Sequence, residues 1–215
     1  MNSRRPTAFL TALSMAAVLL LLGGCARMSC RLLEPPTAET AATDARAVEL
    51  FKQLNPLCGK AFAGRVVVNT PASADDPFAG QPLIMHVRRC DEPGVIRIPF
   101  QVGNDRSRTW VFRRFGGGMH FSHDHRHRDG SEDELSWYGG DLRMGDKASR
   151  YEFPADDYSQ AMFRKLGREV SVPNVWAVEI DAQRFVYELS RPGRLFRVEF
   201  DLTHPVPAPP PPWGG

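Results

Sequence analysis

Four of the six histidines lie within one eight-residue stretch, at positions 120, 123, 125 and 127. His123, His125 and His127 alternate along the chain, so on a β-strand all three would point to the same face. Imidazoles two residues apart on one face lie close enough for two of them to bind one metal ion, and Zn(II) or Cu(II) suits nitrogen ligands. The spacing therefore predicts a metal site on His123, His125 and His127.

The same stretch also fits a polar cluster that holds no metal. Nearby acidic side chains are candidate further ligands, namely Asp129, Glu132, Asp133 and Glu134. Acidic residues here are equally placed to pair with Arg126 and Arg128, and a partly buried histidine usually finds such partners without a metal. Because an HxHxH run specifies a metal site only loosely, the default expectation is no cofactor, and Zn or Cu is the alternative.

No pattern of a common enzyme active site is found in the sequence, which contains no GxSxG, HExxH, P-loop or GxGxxG motif. Ser122, His123 and Asp124 are neighbours whose side chains alternate between the faces of a strand, so they cannot form a catalytic triad there. The sequence therefore favours a non-enzymatic protein over an enzyme.

The first 25 residues have the pattern of an export signal. Two arginines at positions 4 and 5 precede an almost entirely apolar run over 8–22, which is shorter than the ~20 residues that a transmembrane helix needs. LGGC at 22–25 resembles the lipobox of bacterial lipoproteins. This resemblance implies cleavage before Cys25, acylation of that cysteine and a lipid anchor in the membrane. The alternative is a plain signal peptide followed by a coincidental cysteine.

The charge balance separates the export signal from the rest of the chain. The whole sequence has 27 basic and 25 acidic residues, with a net charge of +2. Both surplus charges are the arginines of residues 1–24, so the remaining chain is balanced. A neutral chain does not predict a nucleic-acid partner. In the lipoprotein class, Ala26 rather than Asp after the cysteine implies sorting to the periplasmic face of the outer membrane in a Gram-negative cell.

From Phe62 onward, apolar and aromatic runs alternate with turn residues every eight to twelve positions, which is typical of a sandwich or barrel. The predicted strands are Phe62–Asn69, Leu83–Cys90, Val95–Val102, Thr109–Phe115, Met119–His127, Leu135–Tyr138, Ser149–Phe153, Val175–Ile180, Arg184–Ser190 and Leu195–Leu202. Short connections make neighbouring strands antiparallel. A helix capped by Asp157 and ended by Gly167 precedes the last three strands.

About ten meandering strands with a helix resemble the calycin type of barrel, the architecture of lipocalins and nitrobindin-like proteins. HDHRHRDGSEDE at 123–134, YGG at 138–140 and EFPAD at 152–156 also resemble an uncharacterised family of bacterial secreted proteins. That resemblance covers about half of the chain and implies a shared fold without a known activity.

The remaining cysteines and the two ends of the chain complete the predicted organisation. If the first two strands are antiparallel neighbours, Cys58 and Cys90 lie close enough for a disulfide, although Cys30–Cys58 stays an open alternative. We expect residues 1–24 to be the signal, 25–45 the acylated linker, 46–204 one barrel domain and 205–215 a Pro-rich tail. A short helix over 44–54 with Asp44 as N-cap should lie against the domain, and the tail is expected to be a disordered spacer.

Together these features predict a lipid-anchored envelope protein with a mainly β domain. The expected function is a non-enzymatic module that holds a small amphipathic ligand inside the barrel or has a structural role beside an envelope protein partner. The alternative is a metal-binding or metal-dependent envelope protein that uses His123, His125 and His127.

Overall fold

Ten β-strands and two α-helices make up the fold of the computed structural model, which describes residues 37–72, 76–145, 147 and 149–215. The elements in chain order are α1 (Ala38–Leu54), β1 (Ala61–Thr70), β2 (Leu83–His86), β3 (Val95–Val102), β4 (Asp105–Phe115), β5 (Gly118–His125), β6 (Tyr138–Asp141), β7 (Arg150–Pro154), α2 (Asp157–Lys165), β8 (Val175–Ile180), β9 (Arg184–Arg191) and β10 (Arg194–Val206). The predicted export signal, Cys25 and Cys30 lie outside the described residues. Neither of these helices is long and apolar enough to cross a bilayer.

All strand pairs are antiparallel and belong to a single sheet. Its order is β6-β5-β4-β3-β2-β1-β10-β9-β8-β7, so β1 pairs with β10 and the two edge strands are β6 and β7. These edges meet, because the backbone N–H of Arg143 donates to Glu152 O at 2.8 Å and that of Asp156 donates to Gly139 O at 3.0 Å. The sheet is therefore a nearly closed barrel, which confirms the predicted antiparallel meander.

Two glycines permit the close approach of backbones at this seam. A Cβ on Gly139 would lie 1.8 Å from the carbonyl oxygen of Phe121, and one on Gly140 would lie 1.7 Å from that of Pro154. Any larger residue would therefore push β6 away from both neighbours. α2 lies beside the seam, where the Ser159 hydroxyl accepts from Gly139 N at 2.7 Å and donates to its carbonyl at 3.0 Å.

Aromatic side chains fill the barrel interior. Trp110 is at the centre, with its ring centroid 4.5 Å from that of Tyr187 and 4.8 Å from that of Phe100. Nine aromatic side chains are less than 2% exposed: Phe62, Trp110, Phe112, Phe121, Tyr151, Phe153, Trp176, Phe185 and Phe200. Burial of 150–250 Å² per aromatic residue makes this core the main stabilising contribution to the fold.

The N-terminal helix is longer than the sequence predicts. Thr37, not Asp44, is the N-cap, and its side chain accepts from the backbone N–H of Thr40 at 3.1 Å. Asp44 instead lies inside the helix and pairs with Arg114. Residues 38–45, which the sequence assigned to the linker, are thus helical. The apolar stripe that includes Leu50 and Leu54 is fully buried in the core.

Several other boundaries also differ from those predicted: Asp156 rather than Asp157 is the N-cap of α2, and β4 begins at Asp105 rather than at Thr109. β2 ends at His86 rather than at Cys90, and β6 spans Tyr138–Asp141 rather than Leu135–Tyr138. Cys58 and Cys90 nevertheless form a disulfide with a Cα–Cα distance of 6.3 Å. The reason is the one expected, since β1 and β2 are antiparallel neighbours and Cys90 follows β2 on the side where β1 begins.

The Pro-rich tail packs on the domain instead of forming the expected disordered spacer. β10 continues to Val206, and beyond it Arg106 donates from Nη1 to Pro211 O at 2.7 Å. The backbone N–H of Trp213 donates in turn to Arg106 O at 3.1 Å. Proline cannot form a full strand ladder, so a few contacts of this kind, together with the partly buried Trp213, attach the tail to the barrel.

Candidate functional site

The histidine strand is β5, and its pattern of burial divides the four histidines. His123 and His125 continue the inward face of Met119 and Phe121, while His120 faces outward with Nδ1 2.8 Å from Asp141 Oδ1. His127 lies beyond the end of β5, where its side chain is 56% exposed. The predicted common face therefore contains two of the three candidate ligands, because the strand ends before the third.

His123 is buried and both of its ring nitrogens have partners. Nε2 lies 2.9 Å from the Tyr187 hydroxyl and Nδ1 lies 3.2 Å from the Tyr138 carbonyl oxygen. Burial, reinforced by the nearby His125, lowers the pKa of His123 well below its usual value. The imidazole is therefore neutral at pH 7 and acts as a hydrogen-bonding member of the aromatic core.

His125 forms a second histidine–tyrosine pair nearer the end of the barrel. Its Nε2 lies 3.0 Å from the Tyr138 hydroxyl. Burial and then the positive charge of Arg108 lower the pKa of His125 to about 4, while burial raises the pKa of Tyr138. Both groups are consequently uncharged at pH 7. The structure thus links β5, β6 and β9 through two neutral hydrogen bonds.

A metal site on His123, His125 and His127 stays a prediction. Neutral imidazoles are the form that binds metals, but tyrosine hydroxyls occupy the Nε2 atoms of His123 and His125. His127 Nδ1 is 3.8 Å from Asp133 Oδ2. Within the described ranges, no group of three or more His, Cys, Asp or Glu residues is arranged to hold a metal ion.

A network of strand carboxylates and arginines lies on the outer face of the barrel. Arg150 donates to Glu188 at 2.6 Å and to Glu179 at 3.1 Å, and Arg197 contacts the same two carboxylates. Glu188 has a side chain that is only 7% exposed. This network joins β7, β8, β9 and β10 and has the geometry of a cross-strand support for the sheet.

One polar cavity that sequence reasoning missed is a cleft of about 340 Å³ on the outer face of β3, β4 and β5. Four arginines line it, namely Arg88, Arg89, Arg97 and Arg126. Trp137 and Trp213 also border it. Trp137 is only partly buried. No sequence signal joined these residues, because they come from distant segments that meet only when the barrel closes and the tail packs on it.

Comparison with known proteins identifies no relative of this chain. The chain matches no protein-family model, and neither a curated protein nor a solved structure is significantly similar to it. The class of protein is thus defined by the structure alone, as a ten-stranded antiparallel barrel with a filled interior. The resemblance to a secreted-protein family stays a prediction from the sequence.

Proposed function

We propose that the protein is a membrane-anchored lipoprotein of the cell envelope whose barrel is a non-enzymatic module for binding or structural support. LGGC at 22–25 supports the anchor. The observation that carries the proposed role of the domain is the barrel interior, which aromatic side chains occupy around Trp110. A filled interior supports a role for the outer surface, where the described cavities open, rather than a small amphipathic ligand held inside.

The anchor is Cys25 in this proposal. Eleven residues lie between it and Thr37, the N-cap of α1. A fully extended segment of this length spans at most about 40 Å. The barrel would then stay close to the membrane, at the periplasmic face of the outer membrane. Such a location favours a ligand or envelope protein that is itself near the bilayer.

A non-enzymatic role is supported by the protonation state and hydrogen bonds of the two inward-facing histidines of β5. His123 and His125 are neutral, point inward and are hydrogen-bonded to tyrosines. A general base must reach a substrate proton within hydrogen-bonding distance. Imidazoles embedded in the packed aromatic core are better suited to fixing the positions of β5, β6 and β9.

Lipid anchoring is tested by replacing the cysteine of the lipobox. We expect Cys25→Ser to abolish labelling with radioactive palmitate and to remove the protein from the outer-membrane fraction. The matched control is Cys30→Ser, which leaves the lipobox unchanged and should retain both the label and the location. Palmitate labelling that persists in the Cys25→Ser protein would contradict the proposal.

A further inference from the structure

The floor of the outer cleft is a row of residues that crosses three strands. Pro99 on β3 is the cross-strand neighbour of Thr109 on β4, which in turn pairs with Asp124 on β5. The tail forms one side of the cleft, because a Cβ on Gly215 would lie 3.7 Å from Arg88 Nη1 and one on Gly214 would lie 3.3 Å from Arg126 Cγ. The cleft is therefore bounded by the sheet below and by a separate chain segment beside it.

Positive charge exceeds negative charge in the side chains that line the cleft. Arg126 pairs with Asp124 at 2.6 Å, and Arg97 lies 3.5 Å from Glu92. Arg89 pairs with Asp91 at 3.5 Å. The half-buried Arg88 forms no ion pair with the part of the chain that the structure describes. Four guanidinium groups thus face two side-chain carboxylates in the lining, those of Glu92 and Asp124, and Glu132 pairs with Arg126 from outside the lining at 3.2 Å.

Two tryptophans, Trp137 and Trp213, give the same cleft apolar walls. Trp137 has a φ of +64°, a strained conformation for a large side chain. Its indole N–H donates to Glu132 at 2.7 Å, and the Arg126 guanidinium lies 5.7 Å from its ring centroid. Trp213, on the tail, borders the cleft from the other side and is partly buried.

We propose that this cleft binds a small organic anion, in which a carboxylate or phosphate group is attached to a flat apolar body. A planar guanidinium matches the oxygens of either anion in a bidentate manner, and Arg88 forms no ion pair with a side-chain carboxylate of the described residues. The indole rings of Trp137 and Trp213 are suited to an apolar or aromatic body. The volume of about 340 Å³ is within the range of small-molecule sites. This inference rests on the proposed role of the outer surface in binding and is independent of the lipid anchor.

The test is calorimetric titration of the mature full-length protein in a neutral detergent. The probes are phenyl phosphate and benzoate, with inorganic phosphate and benzyl alcohol as the anion-only and apolar-only comparisons. We expect saturable binding of at least one aromatic anion at one site. Inorganic phosphate should bind at least tenfold more weakly, and benzyl alcohol should give no saturable heat. A response to inorganic phosphate equal to that for phenyl phosphate would show a simple anion site and would overturn the apolar part of the proposal.

Two arginine variants decide whether the binding occurs in this cleft. Arg88→Gln should weaken binding of the aromatic anion at least tenfold. Arg65→Gln is the matched control, since Arg65 is an outer-face arginine with a 77% exposed side chain outside this cleft. Equal losses in both variants, or no saturable binding of either aromatic anion at millimolar concentration, would overturn the proposal. Membrane fractionation of the same proteins tests the lipid anchor separately. A protein that stays in the membrane fraction but binds no aromatic anion would contradict only the proposal for the cleft.

Discussion

The buried His123 shows how one residue can look reactive in a sequence and be structural in the fold. Its imidazole is 3% exposed and its Nε2 lies 2.9 Å from the Tyr187 hydroxyl. Burying a polar group without a hydrogen-bond partner destabilises the fold. His123 and Tyr187 avoid this loss because each supplies the partner that the other needs in an apolar interior.

Removing the hydroxyl of Tyr187 should lower the stability of the protein, because His123 would stay buried without its partner. Tyr187→Phe leaves His123 Nε2 without its hydroxyl partner, so we expect the free energy of unfolding to fall by about 1–3 kcal/mol. Urea denaturation followed by circular dichroism measures this change. Tyr158→Phe is the control, because that tyrosine is 57% exposed and its hydroxyl makes only a 3.5 Å contact to Ser136 O. Equal stability of the Tyr187→Phe and wild-type proteins would contradict this role.

Acid should destabilise the protein through its buried histidines. The pKa of His125 is about 4 in the folded state and about 6.5 in an unfolded chain. Between these values the unfolded chain binds more protons, so the free energy of unfolding falls as pH decreases from about 6.5 to about 4. The contribution of His125 is at most about 3 kcal/mol, and His123 acts in the same direction.

Urea titrations at a series of pH values measure this dependence. His125→Gln should reduce the loss of stability over that interval, whereas His204→Gln, at a histidine whose side chain is 83% exposed, should leave it unchanged. An unaltered pH dependence in His125→Gln would show that other groups cause the loss.

At the level of elements, the seam between β6 and β7 is the most demanding part of the fold. Only four residues form β6, and it lies between β5 and the end of β7. Gly139 and Gly140 let these backbones come close together. The Ser159 hydroxyl holds α2 against Gly139, so closure of the barrel depends on this short segment.

Gly140→Ala should therefore disrupt the barrel. Its Cβ would lie 1.7 Å from Pro154 O, and we expect a loss of about 3 kcal/mol or more because a backbone must move. Gly116→Ala is a matched control, since nothing lies within 4 Å of a Cβ placed there. Thermal unfolding of both variants provides the comparison, and similar melting temperatures would contradict the importance of this contact.

At the scale of the whole molecule, the tail makes the barrel and the C-terminal residues one packed unit. Trp213→Ala should lower the free energy of unfolding by about 1–2 kcal/mol, because part of an indole ring leaves a packed position. Pro207→Ala, at an exposed position of the same tail, should be close to neutral. Denaturation by urea measures both changes. A Trp213→Ala protein as stable as the wild type would favour the spacer that the sequence predicted.

The sequence predicted the elements that depend on local residue patterns better than those that depend on contacts between distant parts of the chain. The bounds of β3 and β8 are those expected, because a strand with alternating apolar residues is specified locally. The shift of β6 to Tyr138–Asp141 was missed, since its two glycines have low strand propensity and are needed only for contacts with Phe121 and Pro154. The prediction of Asp44 as N-cap was wrong because Thr37 is also a favoured N-cap residue and directly precedes the first residue of α1.

By itself, the sequence predicted the fold class and the antiparallel meander, because antiparallel strands with short connections permit few arrangements. It offered Cys58–Cys90 as one of two possible disulfides. It also supplied the prediction of an acylated Cys25. Only the tertiary structure decided that His123 and His125 face tyrosines, that the interior is filled and that the tail borders an arginine-lined cleft. These features depend on which side chains meet across distant segments, and that is decided by packing, which the local pattern of the chain does not specify.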